Sequence, residues 1–238
     1  MPRRILDRPE LLEYLAIAGL FLAVVAFSLI RIDATDTPWH LATAQYAFHE
    51  GHWPVRNTFS YTHPEYPLYQ QYPLYQTILY LVYMAGGWEG LSLLLCVSWV
   101  TIFGLWILWA SAGSSRITTM NLAWMLALLG FQQRMILRPD ILSILLLVAL
   151  LLLIDIYRRG RLWVVAFFVP LQWCMANSHQ LFPLGLAVQG AFLLHLMALR
   201  ILRGKCGVAQ SDSALPIWPI LLALIGSALV CLPLKSLK

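Results

Sequence analysis

Ile141-Leu-Ser-Ile-Leu-Leu-Leu-Val-Ala-Leu-Leu-Leu-Leu-Ile-Asp-Ile-Tyr157 is the stretch that decides the class of this protein. Its interior from Ile144 to Ile154 is Leu, Ile, Val and Ala without interruption. A helix that is apolar on every side belongs in a large core or in a bilayer. A hydrocarbon core of about 30 Å is crossed by about 20 such residues. The flanks are charged: Arg138-Pro139-Asp140 precede the run, and Arg158-Arg159-Gly160-Arg161 follow it. The whole chain agrees with the stretch. Of its 238 residues, 60% are hydrophobic and 11% charged, against roughly 45–50% and about 25% in soluble domains. Such a chain cannot cover its surface with polar groups, which excludes nucleic-acid binding, disorder, collagen and secreted disulfide scaffolds. The expectation is an all-α polytopic membrane protein forming a single membrane domain over 1–238.

Six further apolar runs approach spanning length: Leu11–Ile30, Gly90–Ala110, Thr119–Leu137, Leu162–Ala176, Leu181–Leu199 and Pro216–Pro233. The first is too long for a cleaved signal peptide, and Arg31, Asp33 and Asp36 follow it where a small-residue cleavage site would stand; it is expected to remain as an anchor. An eighth candidate, Tyr72–Gly87, is shorter and carries four Tyr and one Gln. Loop charge arbitrates. Without this span, ten Lys/Arg fall inside and six outside; with it, seven fall inside and nine outside. Positive loops stay in the cytoplasm. The expectation is therefore about seven spans, with a cytoplasmic N-terminus and Tyr72–Gly87 lying at the interface. Net charge of +5 then reflects cytoplasmic loops rather than an acidic partner. The four cysteines form no CxxC pair, so neither a disulfide nor a structural zinc is expected.

That topology leaves one large outer loop, with residues 31–87 as an extracytoplasmic segment holding two surface helices. Thr37–Glu50 reads as the first of these, with Thr37 as N-cap and Gly51 as its stop. Four of the six histidines stand in the loop: His40, His49, His52 and His63. Three constellations face outward: Asp33 with Asp36, Arg134 with Arg138-Pro139-Asp140, and Asn177 with His179. Ionisable groups at membrane depth are costly and mark functional paths, and a guanidinium fork matches two phosphate oxygens. An anion-binding cavity at the outer leaflet is the economical reading. Blander ones stand beside it: Asp36 as a helix cap, the arginines as snorkelling interface anchors, and Asn177 with His179 as a polar turn. His40, Asp36 and His63 invite a metal, but His49 and His52 lack ligand-like spacing with a third partner; no metal or other cofactor is expected.

These same segments carry a resemblance. Asp36-Thr-Pro-Trp-His-Leu-Ala-Thr-Ala-Gln-Tyr46, Gly51-His-Trp-Pro54 and Thr58-Phe-Ser-Tyr-Thr62 resemble the first outer loop of bacterial GT-C glycosyltransferases, the group of protein O-mannosyltransferases and aminoarabinose transferases. Gln71-Tyr-Pro-Leu-Tyr-Gln76 is similar to the family's second loop helix, and the likeness continues through Leu137-Arg-Pro-Asp-Ile-Leu-Ser143 and Trp173…Asn177-Ser-His179-Gln-Leu-Phe-Pro-Leu-Gly185. The family's core has seven spans with two jaw helices after the first. What the resemblance implies is an inverting transferase of the plasma (inner) membrane, acting at its extracytoplasmic face on a polyprenyl-phosphate sugar. Its acceptor would be a lipid, a glycan or a protein, and no nucleic acid is involved. Because the leaving phosphate is already a stable anion, one carboxylate suffices, unlike a glycosidase pair. Asp36, with Asp33 as the alternative, would be the base. Arg138 and Arg134 would hold the phosphate; His40, Asn177 and His179 would contact substrate. Asp140 departs from a simple clamp. The chain ends at Leu232-Pro-Leu-Lys-Ser-Leu-Lys238, whereas relatives usually continue, so a member without the family's C-terminal portion is one expectation. The rival readings are a non-catalytic protein, either a lipid-linked-sugar transporter or flippase, and an inactive GT-C fragment.

Overall fold

The computed structural model describes residues 9–29, 36–111, 125, 126, 128, 130, 135–206 and 215–232. Seven α-helices and one 3₁₀ turn are named among them: α1 (Pro9–Ser28), α2 (Thr37–Glu50), α3 (Pro73–Ser111), α4 (Pro139–Arg158), the 3₁₀ turn Leu162–Phe167, α5 (Phe168–Ala176), α6 (Phe182–Cys206) and α7 (Trp218–Cys231). Among the described residues the fold is all-helical, its one extended feature being an isolated bridge between Arg56 and Pro67 in the loop after α2. Asp33, Arg134 and most of the run Thr119–Leu137 lie outside the described residues.

Among the described residues, three helices are long and apolar enough to cross a bilayer: Pro73–Leu108, Pro139–Arg158 and Phe182–Leu202. Tyr14–Ser28, Leu162–Ala176 and Trp218–Cys231 are shorter apolar stretches. The decisive run forms α4, whose 20 residues rise about 30 Å at 1.5 Å each. Leu162–Ala176, expected as one span, begins as a 3₁₀ turn and continues directly into nine residues of α-helix.

α3 joins two runs that the sequence separates. Its 39 residues would extend about 58 Å if straight, nearly twice the hydrocarbon thickness. It is not straight. Gly87 has φ 59° and ψ −146°, a combination essentially confined to glycine. A Cβ on Gly90 would lie 3.0 Å from the Val82 carbonyl oxygen, although residues eight apart in a straight helix are about 12 Å apart. The chain therefore turns back sharply at Gly87, giving two arms, 73–86 and 88–111.

Two apolar cores meet along α4. Leu20 and Val24 of α1, Leu41 of α2, Tyr75, Leu79, Leu91 and Leu95 of α3, and Ile141 of α4 form the first. Leu150, Ile154 and Tyr157 of α4 close the second with Phe168, Leu196 and Ile220. Inside the second bundle runs a polar network. Gln189 Nε2 donates to Gln172 Oε1 at 3.3 Å, Ser227 Oγ to Gln189 Oε1 at 3.0 Å, and Gln172 Nε2 to the Phe182 carbonyl at 2.8 Å. All three side chains are fully buried. Polar groups away from water must find partners within the protein, and these link α5, α6 and α7. Small residues let the helices approach: a Cβ on Gly185 would sit 2.3 Å from Gln172 Oε1, and one on Gly226 would sit 2.9 Å from a Val169 methyl.

Candidate functional site

The sequence dictates the start of α4 and α2 by similar means. Arg138 precedes a proline and is extended, φ −132° and ψ 159°, because the following ring disfavours the helical region. Pro139 then opens α4, where its missing N–H costs nothing, and Asp140 in the first turn complements the positive helix end. Asp140 thus has a local structural reason in addition to any role in the site. α2 spans Thr37–Glu50 with Gly51 left-handed at φ 73°, the bounds the sequence predicts. The cap differs by one residue. Asp36 occupies the N-cap position but makes no side-chain cap hydrogen bond. Thr37, expected as the cap, is buried and donates to the Leu137 carbonyl at 3.4 Å, tying α2 to the entrance of α4.

A cavity of about 410 Å³ opens between these two helix starts, the start of α3 and the turn after α5. Asp36, His40, Tyr72, Arg138, Pro139, Asp140, His179 and Leu181 line it. Asp36 and His40 are one turn apart on α2, and the backbone N–H of His40 donates to the Asp36 carbonyl at 3.0 Å. The turn is held against α3 by a hydrogen bond from Leu74 N–H to the Asn177 carbonyl at 2.9 Å, and by one from the Gln180 side-chain amide to Gln71 Oε1.

His40 is 4% exposed and enclosed by rings: Trp39, Tyr72 and Tyr75 meet it edgewise with centroids 4.9, 5.3 and 5.2 Å away. Its Nδ1 is 3.0 Å from Gln76 Nε2. Burial pulls its pKa down to about 4, outweighing the upward pull of Asp36, and His179 adds to the lowering. His179 is stacked on Tyr72 at 5.8 Å, its Nδ1 accepting from the Leu181 N–H at 3.3 Å. Burial lowers its pKa too, against an opposing pull from Asp140. Both imidazoles are therefore neutral at pH 7. Arg138 Nε and Asp140 Oδ1 are buried and have no hydrogen-bond partner among the described residues. An unpaired buried donor and acceptor carry a desolvation cost of about 1–3 kcal/mol each, which a ligand with both kinds of group would remove.

Of the residues singled out from sequence, Asp36, His40, Arg138 and His179 line this cavity. Asn177 does not: its side chain donates to the Trp173 carbonyl at 2.9 Å, closing the end of α5. His63, raised as a metal ligand, stands on the exposed loop tip, stacked on Tyr66 at 4.6 Å and 3.8 Å from Glu65. Among the described residues no three His, Cys, Asp or Glu are grouped to hold one metal ion. Tyr72 and Gln76 were missed as site residues, because a tyrosine-rich stretch beside an apolar run reads as an interfacial belt. The signal that could have found Gln76 is its polarity inside an apolar arm, four residues after Tyr72.

The opposite ends of α4 and α6 carry the basic cluster. Tyr157 donates to the Pro216 carbonyl, and Arg200 Nη2 donates to the Leu215 carbonyl at 2.8 Å, so the far ends of both helices converge on one segment. The cavity and Arg158, Arg159 and Arg200 are thus at opposite ends of the same two helices. Comparison with protein-family models, with curated proteins and with solved structures returns no match to this chain.

Proposed function

We propose that the protein is an integral-membrane glycosyltransferase of GT-C type, moving a sugar from a polyprenyl phosphate to an acceptor at the extracytoplasmic face of the plasma membrane. In this reading the chain has seven spans, the N-terminus is cytoplasmic, and α2 with the 73–86 arm of α3 forms the pair of jaw helices. The observation that carries it is convergence. Asp36, His40, Arg138 and His179, drawn from segments separated by apolar helices, line one cavity at the end of α4 and α6 opposite the arginine-rich turn, as the positive-inside rule requires of an outer site.

The chemistry follows from the residues. The acceptor hydroxyl gives its proton to the Asp36 carboxylate as its oxygen attacks the anomeric carbon. The bond from that carbon to the phosphate oxygen breaks, and its electron pair leaves with the phosphate. Arg138 and the neutral imidazoles supply donors to the phosphate oxygens, aimed where charge builds up. The carrier reading predicts a polar path near the bilayer midplane. The buried polar groups of α5–α7 are instead bonded to each other, which favours a site at the membrane face.

The test is binding and turnover of polyprenyl-phosphate sugars by the purified protein in nanodiscs. Release of polyprenyl phosphate by wild type, abolished in Asp36→Asn with donor binding retained, is the expected result. Arg138→Ala should weaken donor binding about tenfold or more, since a hydrogen bond to a charged group contributes about 1.5–3 kcal/mol. Binding without turnover in wild type turns the assignment toward a carrier, and absence of binding overturns it.

A further inference from the structure

The hydrogen bonds around His40 decide which of its nitrogens carries the proton. Gln76 is fully buried. Its side-chain oxygen accepts from the Gln70 amide, which leaves its Nε2 facing His40 Nδ1 at 3.0 Å. An amide nitrogen can only donate, so Nδ1 must be the unprotonated nitrogen and the single proton of a neutral imidazole must sit on Nε2. That nitrogen makes no hydrogen bond to a described residue, and His40 borders the cavity. His179 is arranged alike by a different donor, the Leu181 backbone N–H.

We propose that Gln76 is a positioning residue: oriented by Gln70, it locks His40 in the Nε2–H tautomer, so that His40 presents a neutral hydrogen-bond donor to the cavity beside Asp36. His40 then cannot compete with Asp36 as the base, because its one unprotonated nitrogen, Nδ1, is taken by Gln76. Two neutral N–H donors, from His40 and His179, are suited to oxygens of a phosphodiester that Arg138 also contacts. The use of the donor for phosphate rests on the proposed transferase reading; the tautomer does not.

The experiment is nitrogen-detected NMR of ¹⁵N-histidine-labelled protein in nanodiscs, with His40→Gln identifying the His40 signals. Wild type should show a pyridine-type Nδ1 and a pyrrole-type Nε2. Gln76→Glu, which replaces the donor by an acceptor, should put a proton on Nδ1. A wild-type spectrum with the proton on Nδ1 overturns the proposal, and so does a Gln76→Glu spectrum unchanged from wild type. If that variant does not fold, the wild-type spectrum alone decides. Undecaprenyl phosphate binding adds the functional arm: Gln76→Glu should bind it at least tenfold more weakly. Equal binding overturns the donor role, whereas no binding by wild type counts against the transferase reading and leaves the tautomer result standing.

Discussion

Gly185→Ala is expected to destabilise the protein, and Gly190→Ala, on the same helix, to spare it. At Gly185 the added methyl would lie 2.3 Å from Gln172 Oε1 and 2.9 Å from Met175 Sδ, whereas at Gly190 nothing stands within 4 Å. Non-bonded heavy atoms sit best about 3.5–4.0 Å apart, so at Gly185 the overlap exceeds 1 Å. Gln172 has no easy retreat. Its Nε2 is bound to the Phe182 carbonyl and its Oε1 receives the Gln189 amide, so moving the side chain opens the network that joins α5 to α6. Overpacking costs about 1–3 kcal/mol, and an interhelical hydrogen bond in a membrane contributes about 0.6 kcal/mol. Both variants gain the same helix preference of alanine over glycine, about 1 kcal/mol, so it cancels between them. Gly185→Ala should therefore be less stable than Gly190→Ala by about 2–3 kcal/mol, roughly 30–150-fold in the unfolding equilibrium. Reversible unfolding in mixed micelles, followed by helix circular dichroism, measures it. Equal stability of the two variants would refute the close approach of α5 and α6 and, with it, the placement of the turn that carries His179.

Acid should act through His40. Its pKa is lowered from 6.5 to about 4 on folding, so the unfolded chain takes up the proton first. The stability held above pH 6.5 is then lost progressively as pH falls toward 4, by about 3 kcal/mol in total. His40→Gln should flatten that part of the stability profile, and an unaltered slope would show that His40 is not buried as described. At the bend in α3, Gly87→Ala should cost about 1–3 kcal/mol because of its left-handed backbone, whereas Gly86→Ala, with nothing within 4 Å of its Cβ and φ in the ordinary range, should be neutral or better; denaturation midpoints of the pair test it.

Some of this architecture is decided by local chemistry. The apolar run of α4 needs only its own length and composition to be read as a bilayer helix, because the hydrophobic requirement acts on each residue separately. The bounds of α2 follow from Gly51, and the start of α4 follows from the steric rule before Pro139. Arg138, Asp36 and His179 were legible as candidates because charged or titratable groups beside apolar runs are rare. Tertiary structure decided what no single segment contains. The bend at Gly87 depends on one residue taking a backbone region that composition does not announce, and it turns two runs into one folded helix. Asn177 and His179 are two positions apart and look alike in sequence, yet one closes a helix end and the other lines the cavity, because that depends on which way each side chain leaves the turn. Gln76, Gln172 and Gln189 look like isolated polar residues in apolar stretches. His40, Gln189 and Gln172, their partners across the fold, lie on other helices, and a hydrogen bond between distant segments exists only once packing has brought both ends within about 3 Å.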